Sequence, residues 1–101
     1  MIRKQEITTF EFPDNAVIWD VRDANAYAEA HLKGAVNQPI DHINEDALTE
    51  ISADQPIYIL CGGGSKAPRA AEKLESFDSG REYVVLMGGT RAAKAAGLPI
   101  E

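Results

Sequence analysis

Residues 56–74, PIYILCGGGSKAPRAAEKL, carry the reading of the fold. Pro56 to Leu60 opens on a proline and continues as an unbroken apolar run that stops at Cys61, the pattern of a strand buried on both faces. After the glycines, Ala67, Ala70, Ala71 and Leu74 fall at i, i+3, i+4 and i+7, while Glu72, Lys73 and Glu75 lie elsewhere. That spacing predicts an amphipathic helix, and the small alanines on its stripe permit close packing on a sheet. Pro68 suits the first turn of such a helix. SFDSGR then reads as a turn and EYVVLM, residues 82–87, as a second buried strand.

The same alternation extends in both directions. AVIWDVR at 16–22 is a short β-rich run, and Asp23 is placed to cap the alanine-rich segment ANAYAEAHL, with Ala24, Tyr27, Ala28 and His31 on one helical face and Gly34 as its stop. AVNQPI is extended, and NEDALTEI predicts a short helix with Asn44 as its cap. GGTRAAKAAG reads as a glycine-opened helix closed by Gly97. Strands alternating with helices predict an α/β fold: a small, mostly parallel sheet with helices on both faces, formed as a single domain over residues 1–101. In such sheets the functional crevice lies beyond the carboxyl ends of the strands. The residues expected there are Asp20 to Arg22, Cys61, and Gly88 with Gly89.

Composition narrows the function classes. The chain has 101 residues, 45% hydrophobic and 26% charged, with a formal net charge of −6. A nucleic-acid surface would need clustered Lys and Arg, so none is expected, although a small positive site can persist against the overall field. No apolar run approaches the roughly 20 residues of a membrane span, and MIRKQEITTFEF lacks the apolar core of a signal peptide. A single cysteine forms neither an internal disulfide nor a multi-thiolate metal site, which makes the cytoplasm the expected compartment.

Four readings compete for the glycine loop. In the plainest, Cys61 is a small hydrophobe ending a strand and the glycines are a connector. In the second, a thiol between a buried strand and a helix start faces unpaired backbone N–H groups and the positive end of a helix dipole, a setting that favours thiolate. The glycines then form an anion-binding nest, with Ser65 adding a donor or capping the helix. In the third, Gly62, Gly64 and Ala67 satisfy a dinucleotide-binding G-x-G-x-x-A, but the next strand lacks the acidic residue for a ribose and too little chain follows. The fourth, a cysteine phosphatase, needs an Arg six residues after the nucleophile, where this chain has Ala67. A P-loop fails because Gly-Lys-[Ser/Thr] is absent.

Over almost its whole length the chain resembles the rhodanese family in its single-domain form. DVRDANAYAEAHLKGAVNQPI is similar to the family's first signature, with the His-apolar-x-Gly-Ala turn at His31 to Ala35. IYILCGGGSKAPRAAEKL resembles the active-site strand, a six-residue loop from Cys61 to Lys66, and its helix; YVVLMGGTRAAKAAGLPIE resembles the closing strand, Gly-Gly turn and terminal helix. The resemblance implies sulfur transfer without a cofactor or metal. Cys61 would be the nucleophile, and Gly62, Gly63, Gly64, Ser65 and Lys66 would cradle a small anionic sulfur donor such as thiosulfate. Asp20 and Arg22 would brace the strand end. No second cysteine can resolve a persulfide, so the acceptor would be an external thiol or a protein. The competing reading is a persulfide carrier or docking module with little thiosulfate turnover; a catalytically silent module is the third. Two departures stand out. Gly62 and Gly63 replace side chains that are often cationic or bulky in thiosulfate-active members. Ala93 stands where a tryptophan is common, with Trp19 expected to fill related space from another strand.

Overall fold

The computed structural model describes residues 1–52, 54–62 and 66–101. Its sheet has five strands: β1 (Ile2–Glu6), β2 (Val17–Asp20), β3 (Val36–Asn37), β4 (Ile57–Leu60) and β5 (Tyr83–Met87), in the order β1-β5-β4-β2-β3. Every strand pairing is parallel. Helices α1 (Ala24–Glu29), α2 (Lys66–Phe77) and α3 (Gly89–Ala95) complete the α/β arrangement. Parallel strands require crossovers, and the amphipathic segments supply them.

Strand alternation splits the core into two layers. Ile57, Ile59 and Cys61 of the β4 segment share one layer with Tyr83 and Val85 of β5, and α2 covers it with Ala67, Ala70, Ala71 and Leu74, the stripe its spacing predicts. Tyr58, Leu60, Val84 and Leu86 face the opposite layer, closed by Ile7, Leu32 and Ala93 of α3. Trp19 belongs to the α2 layer and Ala93 to the other. Trp19 therefore does not fill the space beside Ala93, contrary to the expectation above; the sheet separates them.

Other departures have local causes. The N-terminal segment, whose pattern predicts no element, forms an edge strand: Ile2 lies opposite Tyr83 and Glu6 opposite Met87. Its polar composition conceals a pairing decided by residues far along the chain. Helix α1 is shorter than predicted and buries none of its residues; Ala30 turns extended at φ −167°, so His31 lies outside it. Asp23 does cap it, its Oδ1 accepting from Ala26 N at 2.9 Å. The 45–48 segment is a 3-10 turn whose Asn44 side chain makes no capping bond.

Two polar devices fix the ends of the sheet. The Tyr83 hydroxyl donates to Leu74 O and Asp78 O, tying β5 to the C-terminal turn of α2, and burial pushes this phenol above its ordinary pKa. At the carboxyl end of β2, Asp20 is fully buried. The Arg22 guanidinium grips it, donating from Nη2 to Oδ2 at 2.7 Å and from Nε to Oδ1 at 3.0 Å, while Arg22 N donates to Oδ1 at 3.1 Å. The same Nη2 donates to Ala30 O at the end of α1, 2.6 Å away.

Leu74→Ala empties a fully buried position between α2 and the sheet and is expected to cost about 2–5 kcal/mol in chemical denaturation. Arg22→Ala leaves the Asp20 carboxylate buried without its cation and is expected to cost about 3–5 kcal/mol. In the Asp20→Asn, Arg22→Gln double mutant the loss is expected to fall well short of the sum of the two single losses, as read from a double-mutant cycle.

Candidate active site at the carboxyl ends of the strands

Of the residues predicted for the site, Asp20, Arg22, Cys61, Gly62 and Lys66 are brought to one end of the sheet. Cys61 directly follows β4, a central strand, and is only 4% exposed. Its backbone is held from two sides. Val21 N donates to Leu60 O at 2.9 Å, and Thr90 N donates to Cys61 O at 2.8 Å. Arg91 N donates to Gly62 O at 3.3 Å, so the first turn of α3 runs alongside the start of the loop. This approach depends on Gly88. Its φ of +91° is left-handed, and a Cβ there would lie 2.7 Å from the Ala92 Cβ and 3.3 Å from the Ile7 Cγ2. Gly62 differs: a Cβ there would meet only the Arg22 Cδ, at an ordinary 3.6 Å. Gly63, Gly64 and Ser65 lie outside the described residues.

A cleft of about 360 Å³ opens over Cys61. Arg22, Lys66 and Arg91 line it together with Gly62, and among the described residues Asp23 contributes the one carboxylate. Lys66 begins α2, Arg22 follows β2, and Arg91 comes from α3, so three separate elements supply the positive side chains. The hydrogen bonds that Arg22 donates to Asp20 raise the Arg22 pKa above its ordinary value, opposed by burial; proximity of Cys61 adds to the rise. Arg22 is therefore a fixed cation beside the thiol as well as a brace for Asp20. A much smaller void, about 30 Å³, borders Cys61 between Ala67, Pro68, Met87 and Gly88.

Sequence reasoning missed Arg91. The relevant signal was GGTRAAKAAG, in which the residue two after a glycine pair sits on the first turn of a helix beginning at the crevice. His31 and His42 are not among the residues lining the cleft. His31 stacks on Tyr27 with ring centroids 3.8 Å apart, and its Nδ1 lies 2.8 Å from Tyr27 O. Among the described residues no group of His, Cys, Asp or Glu could hold a metal ion, and no helix is long and apolar enough to cross a membrane.

The sequence and the fold have counterparts in known proteins. The thiosulfate sulfurtransferase GlpE of Pseudoalteromonas translucida is 37% identical over 87 residues, covering 82% of this chain and 77% of that protein. YrkF of Bacillus subtilis, provisionally named a sulfur carrier protein, is 33% identical over 58 residues, covering 57% of this chain and 31% of YrkF. The chain spans less than half the length of several curated relatives it matches. Among solved structures, a crystal structure of the rhodanese-like domain of the Anabaena sp. Alr3790 protein superposes with a TM-score of 0.75 at 31% identity, covering 85% of this chain and 98% of that one. The family model of the rhodanese-like domain matches residues 9–96, and the chain belongs to that family.

Proposed function

We propose that this chain acts as a single domain over residues 1–101 and moves sulfane sulfur through a persulfide on Cys61. The observation that carries the reading is the placement of Cys61 at the end of a central strand, in a cleft lined by Arg22, Lys66 and Arg91 against one carboxylate. In the first half-reaction the Cys61 thiolate attacks the outer sulfur of thiosulfate. A new Sγ–S bond forms, the S–S bond of the donor breaks, and sulfite leaves with the bonding pair. The cations attract the dianion and its departing charge; the loop of Gly62, Gly63, Gly64 and Ser65 supplies backbone N–H donors to the persulfide. The void beside Cys61, close to one water molecule's share of liquid volume, leaves room for an added atom. In the second half-reaction an external thiolate takes the outer sulfur and the electron pair returns to Sγ. The sequence holds no second cysteine, so resolution comes from outside. The reaction is assigned to the cytoplasm, where acceptor thiols stay reduced.

A carrier that delivers sulfur to a partner protein with little thiosulfate turnover is the second reading. Its support is the bare loop, Gly62 and Gly63 following Cys61 without side chains, together with the similarity to YrkF. The two share the first half-reaction and differ in turnover.

Intact mass after incubation with thiosulfate is expected to show one added sulfur, about 32 Da, that is absent in Cys61→Ser. Substantial steady-state thiosulfate:cyanide turnover would then favour the enzyme, whereas the adduct without turnover would favour the carrier. Failure to form the adduct with several sulfane donors would remove both. Lys66→Ala and Arg91→Ala are each expected to weaken the concentration dependence of persulfide formation by roughly three- to tenfold at low salt. The difference from wild type should shrink as ionic strength rises.

A further inference from the structure

A separate pocket of about 360 Å³ opens on the sheet face that carries Ile18 and Leu32, and none of the residues lining it lines the Cys61 cleft. Its size is within the range of small-molecule sites. Helix α1 buries none of its residues, so chain segments cover this part of the layer instead: the Phe12–Pro13 arm, the turn at 32–34 and Pro99. Those segments are tied in place. Lys33 N donates to Pro99 O at 2.9 Å, Ala35 N to Leu32 O at 3.0 Å, and Ala16 N to Pro13 O at 3.2 Å. Ile18 and Leu32 are buried and form the floor, whereas Phe12, Pro13, Ala16 and Pro99 keep surface that a ligand can reach. The two prolines have no rotamer freedom to lose when a ligand arrives.

The polar lining is sparse and of one sign. Among the described residues Lys33 is the one charged residue that lines the pocket, joined by the amide of Asn15. Neither side chain is engaged within the protein among the described residues: the ion pairs belong to Met1, Arg3, Arg22 and Arg81, and Asn15 meets Gln55 Nε2 only through its backbone carbonyl. The chain carries 16 acidic residues against 10 Lys and Arg, so a pocket with a lysine and no carboxylate is complementary to an anion against the overall field. An inorganic anion would leave the apolar wall uncovered, and a neutral apolar molecule would leave Lys33 unmatched. We infer that this pocket binds a small organic carboxylate with an apolar body. The body lies against Phe12, Pro13 and Pro99, and the carboxylate accepts from Lys33 Nζ and Asn15 Nδ2. This site is independent of the sulfur chemistry at Cys61.

The test follows amide resonances of the whole chain during titration with 3-phenylpropionate, 3-phenylpropanol and 3-phenylpropylammonium, which share one apolar body and differ in charge. The carboxylate is expected to give saturable shifts at Asn15, Ala16, Lys33 and Gly34, with a dissociation constant of roughly 5 mM or tighter. It should bind more tightly than the alcohol or the ammonium, and propionate, which lacks the ring, at least about tenfold more weakly. Lys33 is exposed, so its substitutions leave the fold intact. Lys33→Gln is expected to weaken 3-phenylpropionate about three- to fivefold and to leave 3-phenylpropanol unchanged. Lys33→Glu is expected to move the ratio of carboxylate to ammonium affinity about tenfold toward the ammonium. Three results would each overturn the site: no saturable shifts at these amides, equal affinity for carboxylate and alcohol, or an unchanged ratio in Lys33→Glu. Shifts centred on Gly62 and Arg91 instead would place the anion in the Cys61 cleft and overturn it as well.

Discussion

A carboxylate with no access to solvent sits at the end of β2, and the cleft end of the molecule is built around neutralising it. Burying Asp20 is tolerable because Arg22 covers both of its oxygens and the Arg22 backbone supplies a further donor. That grip leaves the guanidinium little freedom, and its remaining reach goes to Ala30 O, which anchors the end of α1. The backbone on either side is tied down as well. Asn37 Nδ2 donates to both Asp20 O and Arg22 O, and Gln38 N donates to Asp20 O. The wall of the cleft is thus set by a buried ion pair, and the cation beside the thiol arrives already oriented.

The thiol is placed by different means. Its carbonyl and that of Gly62 accept from the first turn of α3, and the preceding carbonyl of Leu60 accepts from the strand beside it. Position comes from backbone, while charge comes from side chains on three other elements. This division explains how Cys61 can be followed by side-chain-free residues without leaving the cleft uncharged. It also fits a chain of net charge −6: the positive side chains are local, and Asp23 and Glu29 at the rim keep the excess small.

The parts of the fold most legible in the sequence were those in which local pattern and tertiary role coincide. The alanine and leucine spacing of α2 predicted the buried stripe residue for residue, because a helix in a crossover must bury one face on the sheet. Asp23 was legible as a cap for the same local reason. What the sequence concealed was decided by distant partners. The first strand carries Arg3 and Lys4 and exists by pairing with β5. The face of the sheet on which Trp19 lies follows from register, and no window of sequence around Trp19 fixes register. At the site, Cys61 was marked by its isolation among glycines, and Arg22 by its aspartate. Arg91 and Thr90 were hidden, since an arginine and a threonine on an alanine-rich helix look like ordinary surface until the Gly88 turn brings them against the loop.

The pairing of β1 with β5 has a kinetic side. Ile2 must find Tyr83, and Tyr83 N must reach Met1 O, so the sheet closes through contacts that span most of the chain. Topologies dominated by such distant pairings fold slowly compared with those built from neighbours. The bond from Thr90 N to Cys61 O forms only when α3 has docked. Until then a nascent or partly folded chain carries the thiol without Arg91 beside it, open to solvent oxidants and unselective toward anions. Docking of α3 and completion of the cleft around Cys61 are thus a single event.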